Sequence, residues 1–428
     1  MYRYLVNSNL SIKIFLIGIF LLPSVPTISI FFLLISSFNS IKQNFTKVIN
    51  DKWNFTFILS ALLMPLICLF QSENIKPLID RWDKSLTWIG LSNWLPLIFI
   101  FLSFQFFVST AEDRKIVSKV LLAGSLPVLV SGFAQYFFKI YGPFDIFNGL
   151  IIWFQRPLQT DTGMSAVFNN QNYAGAWFCI IWPLSLAALL DSLNKKVNKF
   201  ICLSILISIT TAIIITTSRS AWGGLILLVP LMTGLSFLPY FLPIIFFAIL
   251  CIFLAHTNLI PSNLQNHIRD IIPNRFWQEF SPEHFLVRES RIEIWGKALI
   301  FISQKPIFGW GAATFPILYF LETEAYSGHA HNLILELANN YGIPITIMIF
   351  GAIILICFNS FSKIYINESY TKTQFFERAW FSSFLVLLIS QLWDIQYFDG
   401  RISIIFWILL AGLKEVITSK VQLDNTNL

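Results

Sequence analysis

Three polar side chains at the ends of apolar runs have the types and spacing to do chemistry. Arg219 sits in Thr-Thr-Ser-Arg-Ser-Ala, where one apolar run ends and the next begins, Arg291 opens Arg-Ile-Glu-Ile-Trp, and His331 heads another long apolar run. A guanidinium group is a planar fork of donors that matches phosphate oxygens and stays charged at any working pH. Two of them at one face can hold a diphosphate. An imidazole titrates near neutrality, where a general base for a hydroxyl must operate. Taken singly, each has a plainer reading: an arginine at a helix end snorkels to headgroups, and a histidine there serves a structural partner. Asn169, Asn170 and Asn172 lie where a polar stretch enters an apolar run; such amides cap helices or bind sugar hydroxyls. Gly309 and Gly311 are too few to cradle phosphate and fit a turn.

The elements that must position these residues follow from composition. Hydrophobic residues make up 56% of the 428 and charged residues only 12%, about half the charge a soluble domain carries. Runs such as 201–215 and 241–255 are almost wholly apolar. The expectation is an all-α polytopic integral membrane protein, a single membrane domain over 1–428. The 29 basic residues against 23 acidic ones are scattered among short connections, which sets orientation and gives no nucleic-acid signal. Cys68, Cys179, Cys202, Cys251 and Cys357 lie in apolar runs without metal or disulfide spacing and read as packing residues. Arg3 and Lys13 precede a first apolar run that reads as a retained span rather than a cleaved signal.

Spans are expected near 10–22, 26–38, 54–71, 92–108, 116–138, 172–190, 200–216, 220–236, 239–256, 331–357, 379–393 and 401–417. Lysines and arginines cluster at 42–52, 114–119, 195–199 and 363–378, so these connections face the cytoplasm. Keeping Arg3 and Lys13 on that side as well favours a hairpin of two short spans at the N-terminus over one kinked helix, giving about a dozen spans. The outer connections are then 72–91, 139–171, 257–330 and 394–400. The third is by far the longest outer loop, and loops of that length tend to be functional. Trp82, Trp88 and Trp94 suit an aromatic belt at the headgroups.

No Walker loop, dinucleotide fingerprint, paired-cysteine site or His-Glu-x-x-His motif is present, so nucleotide hydrolysis and zinc chemistry have no support and no cofactor is expected. The chain resembles the O-antigen ligase and polymerase superfamily of envelope polysaccharide enzymes. The resemblance is carried by Arg291-Ile-Glu-Ile-Trp, Pro306-Ile-Phe-Gly-Trp-Gly, His329-Ala-His-Asn-Leu-Ile-Leu-Glu-Leu and Tyr341-Gly-Ile-Pro, with Thr-Ser-Arg219-Ser-Ala and Phe168-Asn-Asn-Gln-Asn172 in support. The family's His, amide, nine residues, Gly pattern fits His331, Asn332 and Gly342; Ile345 departs from the Gly, Thr or Val usual three positions later. The most family-like region is 168–345.

The resemblance implies metal-independent glycosyl transfer at the periplasmic face, from an undecaprenyl-diphosphate-linked glycan to an acceptor hydroxyl on lipid A core or a growing polysaccharide. Arg219 and Arg291 would hold the diphosphate and His331 would activate the acceptor, with Arg288, Arg156, Asn332, Asn170 and Asn172 as further substrate-binding candidates. Ligase, polymerase and protein-glycosylating ligase share these motifs. A second class stays open, because Trp88-Ile-Gly-Leu-Ser-Asn-Trp-Leu-Pro and Gln396-Tyr-Phe-Asp-Gly-Arg-Ile resemble a branch labelled inorganic-carbon transporter. Transporters show inverted repeats and broken helices, and neither pattern is evident in the sequence.

Overall fold

A computed structural model describes residues 9–74, 78, 81–158, 162–193, 196–234, 238–256, 259–271, 291–366 and 374–418. The protein is nearly all-α. In chain order the helices are α1 (Leu10–Leu21), α2 (Pro26–Asn50), α3 (Lys52–Asn74), α4 (Ser85–Phe107), α5 (Ala111–Phe138), α6 (Gln171–Asp191), α7 (Lys196–Ile215), α8 (Arg219–Thr233), α9 (Leu238–His256), α10 (Ser262–Ile271), α11 (Arg291–Gln304), α12 (Phe315–Thr323), α13 (Leu333–Phe361), α14 (Gln374–Ser390) and α15 (Gly400–Thr418). Every expected apolar run falls in one of them. Six helical stretches among the described residues are long and apolar enough to cross a membrane, and α1 and α8 are shorter apolar helices.

Several expectations change in detail. α1 and α2 do form a hairpin: Gly18 faces Leu33, and Ser29 Oγ donates to the Gly18 carbonyl at 2.7 Å. The long connection 257–330 is not an irregular loop, since α10, α11 and α12 lie within it; residues 272–290, and with them the candidate Arg288, lie outside the described residues. An antiparallel hairpin of β1 (Phe144–Ile146) and β2 (Ile151–Trp153) interrupts the helical pattern between α5 and α6. Trp82 and Trp94 are not belt residues. Trp82 is buried with Nε1 donating to the Ala312 carbonyl at 3.0 Å, and Trp94 stacks on Tyr397, so both serve as core; Trp88 is the exposed member.

The core is centred on α6, α14 and α15. α6 is 78% buried over its most apolar stretch, whereas the equally apolar α7 is 17% buried and lies at the periphery. Small residues let the inner helices approach: a methyl at Gly224 of α8 would meet Val386 of α14, and one at Gly412 of α15 would meet the Trp380 ring. Two basic residues in the described interior are matched by carboxylates. Arg114 makes a forked ion pair with Glu377, its NH2 2.6 Å from Oε1, and gives NH1 to the Val108 carbonyl. Lys414 is held by Asp51, Glu415 and Gln105. A buried pair holds when its remaining donors are also satisfied, as they are here.

α13 is broken at Gly342, contrary to the sequence expectation of no broken helix. Gly342 takes φ +85, and a Cβ there would lie 2.1 Å from the Ile307 carbonyl oxygen. The segment 306–311 fills the gap: Ile343 N–H donates to Pro306 O, Trp310 N–H to Asn339 O and Gly311 N–H to Asn340 O. Gln71 Nε2 also reaches Asn340 O, at 2.7 Å. The backbone groups freed by the break therefore find partners in protein, which hydrocarbon could not supply. Gly342→Ala is expected to destabilise the fold by about 3 kcal/mol or more, through both the left-handed backbone and the close approach; thermal unfolding of the purified protein in detergent would show it as a lowered midpoint.

Candidate functional site

His331 is held by its neighbours on both sides. It has φ +52, a backbone conformation unusual for a residue with a side chain. Before it, the Ala330 N–H donates to the buried Glu336 carboxylate at 2.9 Å, and Glu336 also accepts from Asn340 Nδ2. After it, Asn332 caps α13: Oδ1 accepts from the N–H groups of Ile334 and Leu335, and Nδ2 donates to the Leu392 carbonyl. The Leu333 N–H donates to Gln391 O at 2.9 Å. The head of α13 is thus tied to the turn that follows α14.

That turn brings in a residue the sequence reading passed over. Asp394, 8% exposed, places Oδ1 3.1 Å from His331 Nδ1, and its Oδ2 accepts from Asn172 Nδ2 at 2.9 Å. The turn itself is fixed: Gln391 bonds Gln396 and the Tyr397 N–H, and Tyr397 OH donates to Asn93 O while accepting from Trp407 Nε1. Burial opposes the Asp394 carboxylate, but the hydrogen bond with His331 and the positive fields of Arg291, His331 and His329 outweigh it and hold the carboxyl below its usual range. An ionised Asp394 makes Nδ1 of a neutral His331 the protonated nitrogen and leaves Nε2 as the basic one. This is the geometry of an oriented general base.

The other candidates stand at different places in the fold. Arg291 begins α11 as described, and its charge is felt by both Asp394 and His329; one turn along the helix, Trp295 packs on Trp393 with ring centroids 5.4 Å apart. Arg219 is exposed at the head of α8. The first turn of α8 abuts Gly175, whose Cβ would meet Ser218 and Ala221, and Gly175 is about one helical turn from Asn172. Ser220, Ala176 and Ser390 also border one small cavity, so the heads of α6 and α8 and the end of α14 meet. Asn170 caps α6, accepting from the Asn172 N–H at 2.7 Å. Arg156 is exposed on the strand exit beyond β2, where its carbonyl accepts from Gln135.

His329 stacks edge-on to His331 with centroids 4.2 Å apart, and its Nδ1 accepts the His331 N–H at 3.1 Å. Burial first, then the neighbouring His331, pushes its pKa down to about 4, against a smaller opposing effect from Asp394. It is therefore neutral near pH 7, and adds no charge to the base.

Residues 203–350 match the family model described as O-antigen ligase, a segment that holds Arg219, Arg291 and His331. The match lies within that segment and supports the resemblance to the O-antigen ligase and polymerase superfamily. No curated protein matches the chain. In the ligase-like segment the pattern glycine, Gly342, is the residue that breaks α13, and the acid of the His-Asn-Leu-Ile-Leu-Glu stretch, Glu336, fastens the backbone just before His331. Asp394 lies beyond the matched segment.

Glu336→Ala should leave the Ala330 N–H without a buried acceptor, a loss of about 1–3 kcal/mol, while Glu336→Gln keeps an oxygen there and should recover most of it; paired thermal unfolding curves would separate the two. His329 gives a pH dependence of definite sign. Its pKa is lower folded than unfolded, so the unfolded chain takes up the proton first and stability falls as pH drops from 6.5 toward 4. His329→Gln should flatten that part of a melting-temperature profile, and an unchanged slope would count against it.

Proposed function

We propose that the protein transfers a glycan from an undecaprenyl-diphosphate carrier to an acceptor hydroxyl at the periplasmic face of the bacterial inner membrane, as an O-antigen ligase or as the related polymerase. The observation that carries the reading is the His331–Asp394 hydrogen bond, set within the field of Arg291 and at the heads of α6 and α8. In the connection read as periplasmic, α11 packs against α13 and its Trp295 meets Trp393 beside Asp394. On this reading about a dozen helices cross the bilayer.

The step balances without an external energy source. His331 Nε2 takes the proton of the acceptor hydroxyl as its oxygen attacks the anomeric carbon. The bond from that carbon to the phosphate oxygen breaks, and the lipid diphosphate leaves with the electron pair. Arg291 and Arg219 neutralise the charge that develops on the leaving oxygens, the role preorganised cations fill in displacement at phosphate esters, so the step calls for no metal ion. Asp394 keeps the Nδ1 proton in place and stabilises the imidazolium that forms. Asn172 fixes Asp394, acting as a positioning residue. Lipid A core, a growing polysaccharide and a protein hydroxyl are all acceptors this chemistry serves; the acceptor is chosen by the surface around Nε2.

In proteoliposomes with lipid-linked glycan donor, His331→Ala is expected to lower transfer by roughly 10²- to 10⁴-fold. Asp394→Asn should lower kcat by about 10²-fold or more with little change in KM, because it disturbs the tautomer and not substrate contact. Arg291→Ala should lower kcat as well and weaken donor binding. Transfer unaltered by His331→Ala and Arg291→Ala together would end the proposal. A deletion strain examined by polysaccharide gel separates ligase (loss of long chains on lipid A), polymerase (loss of chain length) and transporter (glycan unchanged, bicarbonate uptake impaired).

A further inference from the structure

His329, His331 and Asp394 each offer a ligand atom, and these atoms lie within 4.8 Å of one another. Two imidazoles and one carboxylate form the ligand set that selects zinc and other borderline transition ions over magnesium or calcium, which want oxygen throughout. The bite already suits a tetrahedral ion. With bonds of about 2.0–2.1 Å, tetrahedral ligands stand roughly 3.3 Å apart, and His331 Nδ1 and Asp394 Oδ1 are 3.1 Å apart. His329 must move in by about an ångström; beside it, a methyl added at Gly328 would meet only the Tyr326 ring, no closer than 3.7 Å, so the loop has room. The outer support is also present. Asn172 holds Asp394 Oδ2 and leaves Oδ1 for an ion, the kind of second contact that orients ligands in metal sites. Half-exposed His331 gives a path from solvent.

We propose that His329, His331 and Asp394 form a zinc-binding site that overlaps the dyad and, when filled, switches the base off. The second half rests on the assignment of His331 as the base. A neutral imidazole has one lone pair in the ring plane. With Nδ1–H given to Asp394, that pair is on Nε2 and can take the acceptor proton. When zinc takes the pair at Nδ1, the ring proton moves through solvent to Nε2, which then donates and no longer accepts. Asp394 exchanges the hydrogen bond it accepts from His331 Nδ1 for the ion at Oδ1, and His329 exchanges the bond from the His331 N–H for the ion at Nδ1. The fourth position stays open to water.

The test uses the full-length protein in detergent, purified without a histidine tag, titrated with zinc chloride. About one zinc per chain should bind, with X-ray absorption showing two imidazole nitrogens and light oxygen neighbours. His329→Ala and Asp394→Asn should each weaken binding by at least about tenfold, and the fold of each variant is checked by its melting temperature without zinc. Zinc that fails to bind, or binds equally well to both variants, overturns the site. In proteoliposomes, zinc should inhibit transfer reversibly, relieved by a chelator, and inhibition of His329→Ala should need at least about tenfold more zinc. Binding through these ligands with transfer undiminished would leave the site standing and overturn the switch. Because the binding measurement needs no turnover, its failure is separate from any failure of the glycan-transfer reading.

Discussion

Hydrocarbon offers no hydrogen bonds, and much of this structure answers that one deficit. The break in α13 frees carbonyls at Asn339 and Asn340, and each is met by a backbone N–H from the segment 306–311 or by Gln71. Two basic side chains enter the interior in matched sets, Arg114 with Glu377 and Lys414 with Asp51 and Glu415. Even the turn after α14 is closed upon itself by two glutamines and a tyrosine. Polar groups at depth in so apolar a chain are held largely through such bonds, and those around His331 tie the site to the elements beside it.

The same accounting explains why catalytic-looking groups gather where they do. His331, Asp394 and Asn172 are at helix ends, where backbone groups need partners anyway and water or substrate can reach them. The elements below them, α6, α14 and α15, are the most deeply packed in the molecule. A site set on buried helices inherits their order, and the left-handed backbone at His331 is tolerated because Glu336 on one side and Gln391 on the other hold it.

How much of this could be read from the chain itself varied with the range of the interaction. Apolar runs and their flanking charges are local signals, and helices lie at all the expected positions. His331 and Arg219 were visible because each is a polar group at the edge of a long apolar run, and Arg291 because it opens Arg-Ile-Glu-Ile-Trp in the long outer connection. Asp394 was not, though it too ends such a run: it stands in a short polar turn, and its meaning comes only from pairing with His331, 63 positions away, and Asn172, 222 positions away. Gly342 was seen as a pattern residue but not as a break, because 331–357 reads as one span and only the fold shows the positive φ and the approach of Ile307 that require the glycine. Trp82 and Trp94 looked like belt residues since composition cannot tell a ring facing lipid from one facing Ala312 or Tyr397.

One feature of the architecture reaches beyond individual side chains. α6 starts after Asn170, α8 at Arg219 and α13 after Asn332, and all three starts lie around Asp394 and its neighbours. The break at Gly342 makes the first part of α13 a short helix in its own right. Peptide dipoles add along each helix, so three partial positive poles stand in the same neighbourhood. The backbone therefore adds to the positive field around the ionised Asp394, a contribution that persists whichever side chain is exchanged.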